Sequence, residues 1–393
     1  MKHINRLFPF IALTFFVVAS CREEPRLTPN QAASRTGQSA RLSAQTLDQL
    51  QTLRKGLPAG YEKRLEANAA RLAKSHPEYQ TAINRVLKVI EPTACEPTAF
   101  NTWVNQQLAD WNDEILFYAI VTGMLDFPTY DALYFENSSA EQYFGVTGQY
   151  SQRTTKTFKD LQRFWDIRSN DIVLVAMHGS MLRDRAKIIR IDKLLHGDSQ
   201  AAAEYWADLI ATLLNVVPQY RQGNHPIFTL NAFAQPAFQL LGYGVIPNKI
   251  VMGDGIIEAY NSLGYGDVVS QAVLAHEFGH HVQFQRGLFT DAYSPESTRR
   301  TELMADAYSA YYLSHARGAS MQWKRVQQFL NVFYNLGDCG FTNYGHHGTP
   351  RQRMAAADWG YSLANDAQKQ GHILSSQAVA TLFEAKLPEL IAP

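Results

Sequence analysis

Apolar residues recur at helical spacing over most of this chain, and only short runs have the composition of strands. Strand-like runs rich in β-branched residues lie at 172–177, 227–231 and 249–253. Many helices combined with so few strands predict an α+β fold, predominantly helical with a small sheet. The helical periodicity covers residues 47–87, 103–125, 183–195, 201–217, 321–336 and 379–387.

One further helical segment contains a pair of histidines. Gly266 and Asp267 predict the start of this helix, with Asp267 as the N-cap. His276 and His280 are four residues apart, so both imidazoles project from the same face. Apolar residues lie on that side of the helix, and the histidines are therefore expected to face the protein interior.

These histidines belong to the pentapeptide His276-Glu277-Phe278-Gly279-His280, which matches HExxH. Two imidazoles on one helical face can bind one metal ion, and Glu277 between them can serve as general base towards a metal-bound water. The alternative is a pair of surface histidines on an amphipathic helix. The motif alone does not separate the two interpretations, and the flanking sequence is needed.

A second helix downstream offers carboxylates at a suitable spacing. Ser294–Pro295 predicts its start, as N-cap and first helical position. Glu302 and Asp306 are four residues apart on one face. Glu302 can supply the third protein ligand of a zinc site, and Asp306 can accept the N–H of a ligand histidine. The alternative is that both carboxylates pair with Arg299, Arg300 or solvent.

HEFGH followed by the sequence ELMAD at Glu302–Asp306 resembles the gluzincin metallopeptidases, which combine HExxH with a downstream ExxAD. Asn231–Ala234 resembles the NAFA segment of one gluzincin group. The segment 347–353 resembles the HG[ST]xxQR stretch of the bacterial neutral zinc metallopeptidases. The resemblance spans about 228–360 and does not extend to 45–220.

The resemblance implies a zincin-like metallopeptidase domain in the region 221–393, with one Zn²⁺ per chain. His276, His280 and Glu302 would bind the zinc. Asp306 would lie in the second coordination sphere and orient one of these ligands by a hydrogen bond. Glu277 would be the catalytic base. The implied activity is zinc-dependent endopeptidase hydrolysis of a peptide or protein substrate through a metal-activated water.

Two further assignments follow from the resemblance. His347 is a candidate catalytic residue that would stabilise the oxyanion of the tetrahedral intermediate. It can instead support the ligands, and the adjacent His346 is an alternative for either role. The run Lys249–Gly253 resembles an edge strand above the active-site helix, to which an extended substrate adds by main-chain hydrogen bonds. The alternative is an ordinary strand of the sheet.

The start of the chain predicts a lipoprotein signal peptide at residues 1–20. Lys2 and Arg6 precede an apolar run over 7–20, which is shorter than a typical transmembrane helix. The run ends in Val-Ala-Ser followed by Cys21, which resembles a bacterial lipobox. Cleavage before Cys21 and acylation of that cysteine would anchor the protein to a membrane, on the periplasmic or cell-surface side. The alternative is a plain secretory signal.

The remaining chain divides into three predicted regions. Residues 21–45 are rich in small and polar residues and predict a flexible tether after the lipid anchor. Residues 46–220 predict a largely helical region of unknown family, followed by the catalytic region. Cys95 and Cys339 remain as an even pair in an oxidising compartment and can form one disulfide. Two unpaired thiols are the alternative.

Charge and composition narrow the possible partners. Basic and acidic residues number 36 each, and removal of a signal with two basic residues leaves a slight acidic excess. This balance does not indicate nucleic-acid binding, and the expected partners are a substrate and a membrane. The sequence does not define the oligomeric state. A second functional hypothesis is a lipid-anchored binding or assembly protein with a non-catalytic metal site.

Overall fold

The computed structural model describes residues 42–76, 79, 98–289, 294–336, 347–369 and 372–392. Residues 42–393 form one compact unit. The predicted signal peptide with Cys21, most of the tether, both cysteines of the candidate disulfide and His346 lie outside the described residues.

Helices make up most of the described chain and five short strands complete it, which confirms the predominantly helical α+β class. No helix of the described ranges is both long and apolar enough to cross a membrane. The helices are α1 (Ala44–Lys55), α2 (Tyr61–Ser75), α3 (Ala99–Gln107), α4 (Asp113–Val121), α5 (Phe127–Tyr134), α6 (Ser151–Phe164), α7 (Arg185–His196), α8 (Gln200–Val216), α9 (Asp254–Ser262), α10 (Gly266–Arg286), α11 (Pro295–Ser314), α12 (Trp323–Leu336), α13 (Pro350–Lys369) and α14 (Ser376–Leu390).

The strands form two small sheets. The three-stranded sheet has the order β1-β5-β2, with β1 parallel and β2 antiparallel to β5, and β3 and β4 form a separate hairpin. Because β1 precedes residue 220 and β2 and β5 follow it, one sheet joins the two predicted regions. The strands are β1 (Val173–Met177), β2 (Ala232–Gln235), β3 (Phe238–Leu240), β4 (Gly244–Ile246) and β5 (Lys249–Gly253).

Strand β5 corrects one prediction. The expected strand is present at Lys249–Gly253, but it is the central strand of its sheet and is buried along its whole length. The prediction that it is an edge strand is wrong, because β1 and β2 occupy both of its hydrogen-bonding sides. Among the described strands, β2 lies at the edge of this sheet next to β5, and it also contacts α10.

Two other predicted elements differ for local reasons. The helix expected over 103–125 is divided into α3 and α4, because the Asn112 side chain accepts the Ile115 N–H and caps a new helix. The strand expected at 227–231 is a 3₁₀ turn, Pro226–Thr229, with proline at its first position.

The helix starts around the site are only partly as predicted. Ser294 caps α11, because its side chain accepts the Ser297 N–H and the Ser297 hydroxyl reaches back to the cap backbone. Helix α10 begins at Gly266 with Tyr265 as its N-cap residue, and Asp267 therefore lies within the first turn instead of capping it.

Helix α11 is buried from Thr301 to Ser314 and packs against both α10 and α13. Glycines permit this close approach on each side. A Cβ at Gly279 of α10 would lie 3.2 Å from the Ala305 Cα. A Cβ at Gly360 of α13 would lie only 2.4 Å from the Ala307 carbonyl oxygen. The spacing of three helices thus depends on the absence of two side chains.

We expect Gly360→Ala to lower the free energy of unfolding by about 1–3 kcal/mol, because the methyl group overlaps backbone that cannot move independently. This is expected even though alanine favours an isolated helix by about 1 kcal/mol. Urea unfolding measures the change. Gly56→Ala is the matched control, since its Cβ would come no closer than 3.5 Å to any neighbour. Equal stability of both variants would contradict the packing account.

Candidate metal centre

His276 and His280 face each other from consecutive turns of α10. Their Nε2 atoms are 3.1 Å apart. His276 is 5% exposed, so the pair lies inside the protein and the surface-histidine alternative does not hold. Both imidazoles direct the same nitrogen towards one point.

Hydrogen bonds on the far side of each ring define its tautomer. The His276 Nδ1 lies 2.8 Å from the Asp306 Oδ1, and a carboxylate oxygen accepts only. The His280 Nδ1 lies 2.9 Å from the Gln283 Oε1. The Gln283 amide nitrogen donates to the Thr301 carbonyl at 2.7 Å, which orients its oxygen towards His280. In its neutral form each ring therefore carries its proton on Nδ1 and directs an Nε2 lone pair into the site.

Glu302 completes the cluster from α11. Its Oε2 lies 3.3 Å from the His276 Nε2, and its Oε1 lies 3.4 Å from the His280 Nε2. Ligand atoms of the three residues lie within 4.8 Å of one another, and the group could hold a metal ion. Two lone pairs and a carboxylate repel each other when they converge in a buried site, so a cation between them, either a proton on an imidazole or a metal ion, stabilises this arrangement.

Arg353 of α13 lies beside the cluster and contacts its carboxylates. Its guanidinium donates to both oxygens of Asp306 at 2.7 Å and lies 3.6 Å from the Glu302 Oε2. Asp306 is fully buried and Arg353 is nearly so. The bidentate pair satisfies two charges that would be costly to bury alone, and it holds the carboxylate that orients His276.

The pKa values of the titratable groups are strongly shifted in this environment. Burial disfavours the charged imidazole of His276, but Asp306 and Glu302 outweigh it and raise its pKa to about 10. Burial alone would raise the pKa of Glu302, but the nearby His347 and His280 outweigh burial and lower this pKa well below its usual range. For Glu277 burial dominates and raises the pKa. The acidic groups around the histidines thus favour positive charge at this point.

His347, the candidate for oxyanion stabilisation, contacts a candidate ligand. Its Nδ1 lies 3.1 Å from the Glu302 Oε2, and its side chain is 37% exposed. This contact corresponds to the ligand-supporting alternative. His281, which directly follows the motif, donates from Nε2 to the Lys249 carbonyl at 2.7 Å and ties α10 to the central strand. Burial lowers the pKa of His281 to about 4, so the ring is neutral at pH 7.

The structure brings together the residues that the sequence pointed to, namely His276, His280, Glu302 and Asp306. It adds Gln283 and Arg353, to which the sequence reasoning gave no role at the site. The only sequence signal for the contact between Gln283 and His280 is that Gln283 follows three residues later on the same helix. Arg353 comes from a separate helix, and only the HG[ST]xxQR resemblance pointed to its segment.

Comparison with known protein families, with curated proteins and with solved structures gives no match for this chain. The reasoning about function therefore depends on the geometry of the site itself.

We expect Asp306→Asn to weaken metal binding about 10–100-fold, because the residue that fixes the His276 tautomer loses its charge. Competition with a chromophoric chelator measures the dissociation constant for zinc. Asp208→Asn is the matched control, since Asp208 is an exposed carboxylate that pairs with Arg185 and does not belong to the cluster. Unchanged affinity in Asp306→Asn would show that the carboxylate does not orient a ligand.

Proposed function

We propose that this protein is a zinc-dependent endopeptidase of zincin-like architecture. The observation that carries the proposal is the convergence of two Nε2 lone pairs and one carboxylate beside the buried Glu277. A purely structural site does not need that fourth side chain. Anchoring as a bacterial lipoprotein through Cys21 is proposed on the sequence alone.

The spacing is compatible with zinc. Zinc binds nitrogen and oxygen ligands at about 2.0–2.2 Å, so neighbouring ligand atoms of a tetrahedral site are about 3.3–3.6 Å apart. The two Nε2 atoms are 3.1 Å apart, and each lies 3.3 or 3.4 Å from a different oxygen of Glu302. Two imidazoles and one carboxylate are also a typical catalytic donor set, with a fourth position left for water.

The residues have distinct roles in the proposed hydrolysis. A zinc ion bound here would supply Lewis acidity, which lowers the pKa of water and polarises the scissile carbonyl. Glu277 accepts the water proton and passes it to the leaving amine. Asp306 and Gln283 keep both imidazoles in the ligating tautomer. His347 is positioned beside Glu302 and would support that ligand or the developing oxyanion.

The substrate is proposed to lie along β2 instead of β5. Asn231 and Phe233 direct their backbone groups towards β5, as the Gly253 N–H bond to the Asn231 carbonyl shows. In an antiparallel pair the intervening residues point the other way. Ala232 and Ala234 therefore present N–H and C=O groups at the edge that no described strand pairs with, where an extended peptide of any sequence can add.

We expect Glu277→Gln to retain stoichiometric zinc and to lower kcat/KM at least about 100-fold, because the amide cannot accept a proton from water. Metal analysis together with cleavage of a casein-type substrate provides the measurement. His276→Ala should lose both zinc and turnover. Hydrolysis that persists in Glu277→Gln would refute the assignment. Zinc in the wild type without any cleavage would favour the binding-protein hypothesis.

We expect Ala234→Pro to raise KM for peptides about 3–10-fold, the equivalent of one lost hydrogen bond. Proline removes an N–H that faces the free edge and leaves the pairing with β5 in place. Steady-state kinetics provide the readout, and bound zinc should stay constant. Ala234→Ser, which keeps the N–H, is the control. An unchanged KM in the proline variant would place the substrate elsewhere.

A further inference from the structure

The β3–β4 hairpin exposes an unusual amount of apolar surface. Leu241, Tyr243 and Val245, called here the apolar tip, are 93%, 49% and 68% exposed. Leu241 is the most exposed large apolar residue of the described chain, and the next in rank is Val245. Scattered apolar residues are ordinary on protein surfaces, but three exposed ones within five consecutive residues indicate an interaction site.

The hairpin also lacks charge. Residues 236–248 contain no Asp, Glu, Lys or Arg, although charged residues make up 18% of the chain. A soluble edge hairpin normally carries charges that prevent association. Their absence here means that transfer of the tip into a medium of low polarity has no charge-desolvation cost.

Two aromatic contacts join the hairpin to the body of the protein. The Phe238 ring packs edge-on against Tyr134, and the Tyr243 ring packs edge-on against Phe135, with centroids 6.3 and 5.5 Å apart. Both partners lie at the end of α5. The Tyr243 ring is thus partly covered, and Leu241 and Val245 are the more exposed members of the apolar tip.

We propose that the apolar tip inserts into the interfacial region of a lipid bilayer. The two most exposed side chains are aliphatic and the less exposed one is a tyrosine, which matches the polarity gradient from acyl chains to headgroups. A charge-free apolar tip suits a fluid surface, since it offers no side chain for a salt bridge to a specific protein partner.

The sequence independently predicts that the protein is held at a membrane. Acylation of Cys21, as the sequence predicts, would hold Leu42, which is 21 residues further along the chain, within about 70 Å of the bilayer. Insertion of the tip would supply the second contact, at the high effective concentration that a tether provides. Because β3 follows β2 after two residues, this contact would also orient the proposed substrate edge relative to the membrane.

Binding to vesicles of phosphatidylethanolamine and phosphatidylglycerol tests the insertion. The chain beginning at Arg22 is used, because it lacks the lipid site and retains the whole compact unit. We expect it to float with the vesicles, and Leu241→Ser/Val245→Ser to lower the partition coefficient at least about tenfold. Leu382→Ser is the matched control, since Leu382 is 43% exposed on α14 and should not affect binding.

A second measurement locates the tip. A Leu241→Trp variant should gain blue-shifted fluorescence on vesicle addition, and brominated acyl chains should quench it, relative to the unsubstituted protein. Failure of the unsubstituted protein to bind, or equal binding by the double variant, would overturn the insertion. Neither outcome bears on the peptidase proposal, because vesicle binding requires no turnover. If the double variant still bound vesicles but no longer cleaved peptides in their absence, the apolar tip would instead be assigned to substrate binding.

Discussion

The Asp306 carboxylate, shared between an imidazole and a guanidinium, is the interaction on which the geometry of this site depends. One oxygen accepts from His276, and both accept from Arg353. Three helices, α10, α11 and α13, thereby meet at a single fully buried charge. Such a charge is tolerable only when it is paired and hydrogen-bonded at every position. The same bonds that satisfy it also direct the His276 lone pair into the site.

Much of this centre could be predicted from the sequence because its chemistry is local. HExxH places two imidazoles on one helical face by spacing alone, and Glu302 and Asp306 follow the same rule on the next helix. The Ser294 cap is likewise a local signal. Within one helix, residue spacing is nearly equivalent to geometry.

The rest could not be predicted, because it depends on which elements become neighbours. The composition of Lys249–Gly253 identifies a buried strand but does not tell whether one or both of its sides are paired. The Arg353 contact with Asp306 joins two residues that are 47 positions apart and lie on different helices. The break between α3 and α4 depends on one capping asparagine inside a continuous apolar pattern, which periodicity alone does not distinguish from a single helix.

Gly279, the fourth residue of HEFGH, gives the motif a second function besides placing ligands. The α11 backbone passes 3.2 Å from where its side chain would be, and α11 carries Glu302. This glycine therefore permits α10 and α11, and with them the histidines and the carboxylate, to lie close together. In the proposed metal site the distance between these helices would affect which ion fits, because a small tetrahedral ion needs short distances, whereas larger ions need more ligands at greater distances. A position that the motif leaves variable would thus contribute to the choice of ion.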